Sequence, residues 1–124
     1  MANILLVDDS EDLLEILSTF LKMKGYEVES ALSQEKAKNT LSTFIPDVIL
    51  LDVRINGHDG RELCKEIKEK YDPNIPIILL SASPELLKDY EECKADDIIE
   101  KPFNLATVIE KVNSAINKYK NIST

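Results

Sequence analysis

Asp47-Val48-Ile49-Leu50-Leu51-Asp52 carries four consecutive aliphatic side chains and stops on an acid. A run this short, with no polar residue between its apolar ones, fits a strand buried on both faces of a parallel sheet. The chain opens the same way, because Asn3-Ile4-Leu5-Leu6-Val7 runs directly into Asp8-Asp9. Outward from these two runs, strand and helix signals alternate. Ser10 to Lys24 sets Leu13, Leu14, Leu17, Phe20 and Leu21 at helical spacing, with Ser10 as cap and Gly25 as stop. Tyr26 to Ser30 alternates like an edge strand, and Ser33 caps a helix carrying Ala37, Leu41 and Phe44 that Pro46 ends. Beyond Asp52, the residues Asn56, Gly57, Asp59 and Gly60 signal a loop. Leu63, Cys64, Ile67 and Tyr71 mark a third helix, and Ile75 to Leu80 a fourth strand. Ser83-Pro84 then predicts a helix through about Cys93. Asp97 to Glu100 is a fifth, short strand, and Leu105, Val108, Ile109, Val112 and Ile116 stripe the last helix.

Five strands alternating with five helices predict an α/β domain whose parallel sheet is covered on both faces. Right-handed crossovers and the short chain favour a flavodoxin-like, doubly wound (βα)5 three-layer sandwich with sheet order 2-1-3-4-5. At 124 residues the chain is read as one domain spanning 1–124. Met1-Ala2-Asn3 looks like a natural start, whereas Asn121 to Thr124 gives no sign of an end. With 23 acidic against 15 basic residues the net charge is −8, which argues against direct nucleic-acid or anionic-membrane binding. Two cysteines and no leader-like or membrane-length apolar run predict reduced thiols and a cytoplasmic location. Cys64 falls in an apolar stripe and is expected in the core, Cys93 at a helix end near the surface, and His58 in an exposed loop.

In sheets of this kind ligands bind at the carboxyl ends of the strands where strand order reverses, here between the first and third strands. Asp8, Asp9 and Asp52 leave those strands. Carboxylates so placed repel one another, so that either one takes up a proton or a cation fills the gap. A hard cation with open positions, such as Mg²⁺, suits oxygen ligands of this type. Ser81 follows the fourth strand and Lys101 the fifth, adding a hydroxyl and an ammonium to the same rim. A phosphoryl group carried on an acid would find partners there for its oxygens. Singly, an Asp or Ser after a strand reads as well as a helix cap. Their joint placement at successive strand ends is not explained by capping.

The blocks Ile4-Leu5-Leu6-Val7-Asp8-Asp9, Val48-Ile49-Leu50-Leu51-Asp52, Leu80-Ser81-Ala82 and Lys101-Pro102-Phe103 resemble those of the response-regulator receiver domain, the fold of the bacterial chemotaxis response regulator. The resemblance runs from about Asn3 to Tyr119. It implies that Asp52 accepts a phosphoryl group from a phosphohistidine on a partner histidine kinase or phosphotransfer protein. It further implies that Asp9 and Asp52 ligate Mg²⁺ directly, Asp8 through water, and Arg54 through its backbone carbonyl. Lys101 would pair with the phosphoryl group and Ser81 would close on one of its oxygens. Ala82 is small where a large side chain would obstruct Asp52, and Arg54 and Ser83 stand where they would help or hinder an attacking water. Such a domain is a phosphorylation-dependent switch rather than an enzyme, and a lone one has no output domain and acts by touching a target protein.

Two departures stand out. Ile55-Asn56 replaces the usual Met-Pro after the acceptor, which predicts a more mobile loop and altered metal affinity. Ile98 stands where the family usually has Tyr or Phe, so switching must use the Ser81–Pro84 loop and the helix after it. From Glu85 to Glu100 there are seven acids and two lysines, either a solvated face or a docking face for a basic target. Two other functions compete. An aspartyl-nucleophile, Mg²⁺-dependent phosphohydrolase of the haloacid dehalogenase type would have an acid where Arg54 stands, and a nucleotide or redox binder would show a glycine-rich loop that three glycines do not supply.

Overall fold

A computed structural model describes residues 2–123, leaving Met1 and Thr124, on which readings of the chain's two ends partly rest, outside the described residues. Each apolar run becomes a strand: β1 (Asn3–Val7), β2 (Glu27–Ala31), β3 (Val48–Asp52), β6 (Ile77–Ser81) and β7 (Asp97–Glu100). They form one parallel sheet in the order β2-β1-β3-β6-β7. Two short strands, β4 (Arg54–Ile55) and β5 (His58–Asp59), lie apart as an antiparallel hairpin, so the five sheet strands keep the predicted 2-1-3-4-5 sequence order. The helices are α1 (Glu11–Met23), α2 (Gln34–Leu41), α3 (Gly60–Lys70), α4 (Pro84–Leu87) and α5 (Leu105–Ser123). This is the flavodoxin-like arrangement.

Continuous apolar runs are required because the sheet has two buried faces. Ile4, Leu6, Val48, Leu50, Ile78 and Leu80 pack with Leu14, Leu17 and Leu21 of α1 and Val108 and Val112 of α5. Their alternates Leu5, Val7, Ile49, Leu51, Ile77 and Leu79 pack with Ala37 of α2 and Leu63, Cys64 and Ile67 of α3. Ser10 and Ser33 cap α1 and α2, accepting hydrogen bonds from Leu13 N–H and Lys36 N–H.

Three expectations need correction. The helix from Ser83 to about Cys93 is broken: α4 ends at Leu87, a separate single 3₁₀ turn covers Tyr90–Cys93, and Lys94 adopts a left-handed φ of 68°. Leu87 and Cys93 both enter the core on the α3 side of the sheet. On one continuous helix they would point about 120° apart, at the edges of an ordinary apolar stripe, and the break lets both enter the core fully. Cys93 is accordingly buried, not at the surface. Tyr71, assigned to the stripe of α3, is the helix's C-cap residue and is exposed. Smaller shifts follow local chemistry. β6 begins at Ile77 rather than Ile75, and the proline before it, Pro76, has no N–H to give the sheet ladder. α2 ends at Leu41, where the Ser42 hydroxyl and N–H both donate to the Asn39 carbonyl.

Candidate functional site

Asp8, Asp9 and Asp52 converge at the carboxyl ends of β1 and β3, offering one oxygen each within 4.8 Å of one another. Asp8 and Asp52 are buried and Asp9 is exposed. Lys101, just past β7, reaches into the group: its Nζ lies 2.9 Å from Asp8 Oδ2 and 3.6 Å from Asp52 Oδ1. Backbone N–H groups hold each acid as well. Ser10 N–H donates to Asp8 Oδ1 at 2.9 Å, Arg54 N–H donates to the Asp52 carboxylate, and Asn56 N–H donates to Asp9 Oδ2 at 2.9 Å.

Burial raises the Asp52 pKa to about 6, reinforced by the charge of Asp8 and, last, of Asp9, while Lys101 and the Arg54 N–H pull it down. At neutral pH Asp52 is therefore ionised in a pocket that charges it reluctantly. Three carboxylates opposed by one ammonium leave surplus negative charge on hard oxygen donors, a donor set that fits a small hard divalent cation such as Mg²⁺.

Ser81 ends β6 one residue beyond Leu80, which pairs with Asp52 across the sheet. Its hydroxyl is buried and accepts the Ser83 N–H at 3.0 Å, and its carbonyl accepts the Lys101 N–H at 2.8 Å. Ser83 stands at the N-cap of α4 with Pro84 after it, as a sequence reading of Ser83-Pro84 expects, but its side chain makes no cap hydrogen bond. Arg54 and Ala82 are exposed, Ser83 half-buried, and His58 is an exposed hairpin residue. Ile98 is half-buried and packs against the α3-side core.

Three residues at the site matter for more than the turn chemistry read from sequence. Gly60 begins α3 directly against the end of β3, and its N–H donates to the Val53 carbonyl. A Cβ there would lie 2.1 Å from the Asp52 carbonyl oxygen, so Asp52 has its place only because residue 60 has no side chain. Asn56 and Gly57, at φ 51° and 79°, form the two-residue tip of the β4–β5 hairpin. No sequence signal marks the approach of Gly60 to Asp52. The Asn-Gly pair does mark a hairpin, but its flanks are too short to read as strands. The acidic stretch is also less uniform than its composition. Glu85, Asp89, Glu91, Glu92 and Glu100 are exposed, whereas Asp96 pairs with the buried Lys68 at 2.7 Å and Asp97 with Lys111 at 2.9 Å.

The site can be compared with known proteins. The family model for the response regulator receiver domain matches residues 4–113. The crystal structure of NtrX from Brucella abortus superposes with a TM-score of 0.91 at 28% identity, over 98% of this chain and 28% of that one. A signal receiver domain of a signal transduction histidine kinase from Syntrophus aciditrophicus is 33% identical, with a TM-score of 0.85 over 95% of this chain and 92% of that one. A CheY-like response regulator receiver domain protein from Methanospirillum hungatei gives 0.89 at 25% identity, over 98% of both. The chain thus spans little more than a quarter of NtrX but nearly all of the other two. A family match over most of the length, on a fold that brings three acids and a lysine to one rim, means that this chain belongs to the response regulator receiver domain family, whose general function is phosphorylation-dependent signalling.

Proposed function

We propose that Asp52 is the phosphoacceptor of a two-component or phosphorelay switch, taking its phosphoryl group from the phosphohistidine of a histidine kinase or phosphotransfer protein. The observation that carries this reading is the Asp8–Asp9–Asp52 cluster with Lys101 between two of its acids. An Asp52 carboxylate oxygen attacks phosphorus, the P–N bond breaks, and its electron pair returns to the imidazole. A carboxylate with a raised pKa is more basic, and so a better nucleophile, than one in water. It remains ionised at pH 7, as the attack requires.

Asp9 and Asp52 would hold Mg²⁺ directly, Asp8 through water, and the Arg54 carbonyl would complete the protein ligands. The ion supplies charge neutralisation at the transferring phosphoryl oxygens. Lys101 pairs with the phosphoryl group once Asp52 carries it, and Ser81 turns its hydroxyl toward a phosphoryl oxygen. The Ser83 N–H then loses its acceptor, which frees the start of α4. Switching by this route needs no aromatic at residue 98. Comparing backbone NMR shifts with and without a phosphoryl mimic tests it, and unchanged residues 81–93 would refute it.

The exposed acids Glu85, Asp89, Glu91, Glu92 and Glu100 flank that mobile start and offer a basic target protein a docking face, so binding should weaken steeply with salt. No helix among the described residues is long and apolar enough to cross a membrane. A cytoplasmic location agrees with the two free, buried thiols. Labelling with acetyl phosphate and Mg²⁺ tests the assignment of Asp52: the parent should gain one phosphoryl group and Asp52→Asn none. Labelling that survives Asp52→Asn would overturn the assignment.

A further inference from the structure

Besides the Asp59 cap on α3 and the buried Ile55, three hydrogen bonds tie the β4–β5 hairpin toward β1 and β2. Asn56 N–H donates to Asp9 Oδ2 at 2.9 Å, the Asn56 carboxamide donates to the Leu32 carbonyl at 3.0 Å, and the Gln34 carboxamide reaches the Asp59 carbonyl at 3.4 Å. Asn56 meets three demands at once. Its φ of 51° lies in the left-handed region, which Asn tolerates better than most residues. It keeps a free N–H to give to Asp9, and its side chain anchors the tip to the end of β2. Asp9 is the one exposed acid of the cluster, whereas burial already restricts Asp8 and Asp52.

We infer that Asn56 is a positioning residue for the cation: its backbone N–H fixes one oxygen of Asp9, leaving the other free for a divalent ion, and its carboxamide keeps the hairpin tip in place to do so. The inference rests on the metal reading above. An exposed carboxylate held in one orientation before binding does not have to be ordered by the ion, so affinity rises through preorganisation. The same N–H offsets part of the repulsion among the three acids without a proton.

The test titrates the full chain with MgCl₂ alone and follows the amide NMR shifts of residues 8–10 and 52–57. Asn56→Gly keeps the N–H and tolerates the positive φ but removes the carboxamide anchor, and should weaken Mg²⁺ by about threefold. Asn56→Pro removes the N–H and forbids the positive φ, and should weaken it by about tenfold. In an Asp9→Asn background neither change should weaken Mg²⁺ further, which general damage to the loop would not reproduce. In metal-free protein, hydrogen exchange at the Asn56 amide should speed up in Asp9→Asn. Parent-like affinity in both Asn56 variants, tighter binding in Asn56→Pro, or equal losses in the Asp9→Asn background would each overturn the inference. If the parent itself shows no Mg²⁺-dependent shifts, the metal reading falls; if it binds and the variants match it, only the role of Asn56 does.

Discussion

Replacing Asp52 by Asn should make the metal-free protein more stable at neutral pH. Burial, with the Asp8 charge beside it, lifts Asp52 from 3.8 to about 6 in the folded chain. Below pH 4 the group is largely protonated whether the chain is folded or not, and contributes little. As pH rises from about 4 to 6 the unfolded chain releases this proton first, so the folded state binds more protons and stability falls across that window. Above it the deficit is constant. The difference corresponds to about 3 kcal/mol at ~1.4 kcal/mol for each tenfold in proton affinity. Solvent on the open side of the pocket screens part of it, leaving about 1–2 kcal/mol. Asn has the same shape, still accepts the Arg54 N–H, and carries no charge, so the variant recovers that amount, about 5 °C in Tm for a domain of this size. Thermal unfolding by circular dichroism in chelator, from pH 4 to 8, should show curves that nearly coincide at pH 4 and separate above pH 6. Added Mg²⁺ should narrow the gap, because an ion bound only to the folded parent stabilises it by mass action. An Asn variant no more stable than the parent at pH 7 would refute the charge conflict, and a gap independent of pH would refute the titration.

Three further outcomes follow from the geometry. Gly60→Ala drives a methyl to within 2.1 Å of the Asp52 carbonyl, and should cost about 1–3 kcal/mol in denaturant unfolding and at least about tenfold in the rate of acetyl phosphate labelling. Lys68→Ala leaves Asp96 without its buried ammonium and should destabilise by about 3 kcal/mol, read by urea unfolding, with no loss of labelling in conditions where the variant is folded. Iodoacetamide followed by mass spectrometry should find Cys93 modified before Cys64, because the contact between the two thiols holds Cys93 below the ordinary thiol range while the same contact and deeper burial push Cys64 up. Equal rates at the two sites would contradict that pairing.

The legible and illegible parts of this chain divide by the range of the interactions involved. The runs Ile4–Val7 and Val48–Leu51 were readable as strands because a strand buried on both faces leaves a local mark, and the acids that follow them inherit their position from the strand end. Lys101 and Ser81 were placed by the same logic. The break after Leu87 was not readable, since the spacing of Leu87 and Cys93 becomes informative only once both are known to enter one core. Asp96 counted as a surface charge in the sequence, yet its carboxylate accepts from the Ile77 N–H and from Lys68, both distant in the chain. Gly60 reads as a loop residue in the sequence, whereas it opens α3, and the reason for glycine there is the approach of the Asp52 backbone.

The break in the α4 region bears on how a signal leaves the site. A long helix from Ser83 would be held by its own hydrogen-bond ladder, and moving its first turn would mean moving all of it. The observed segment is one turn of α-helix and one of 3₁₀, joined by Lys88 and Asp89, and neither turn has a side-chain cap. Short helices of this kind gain little from propagation and depend on tertiary contacts, here Leu87 and Cys93 in the core. At its upstream end the segment is tied to the Ser81 hydroxyl through the Ser83 N–H, and the Ser81 carbonyl is tied in turn to Lys101. On the phosphoacceptor reading proposed above, a hydroxyl drawn toward a phosphoryl group on Asp52 would release the segment at its upstream end. On the switching route proposed above, the half-buried Ile98 would keep its place in the core, and the backbone between Ser81 and Leu87 would carry the motion.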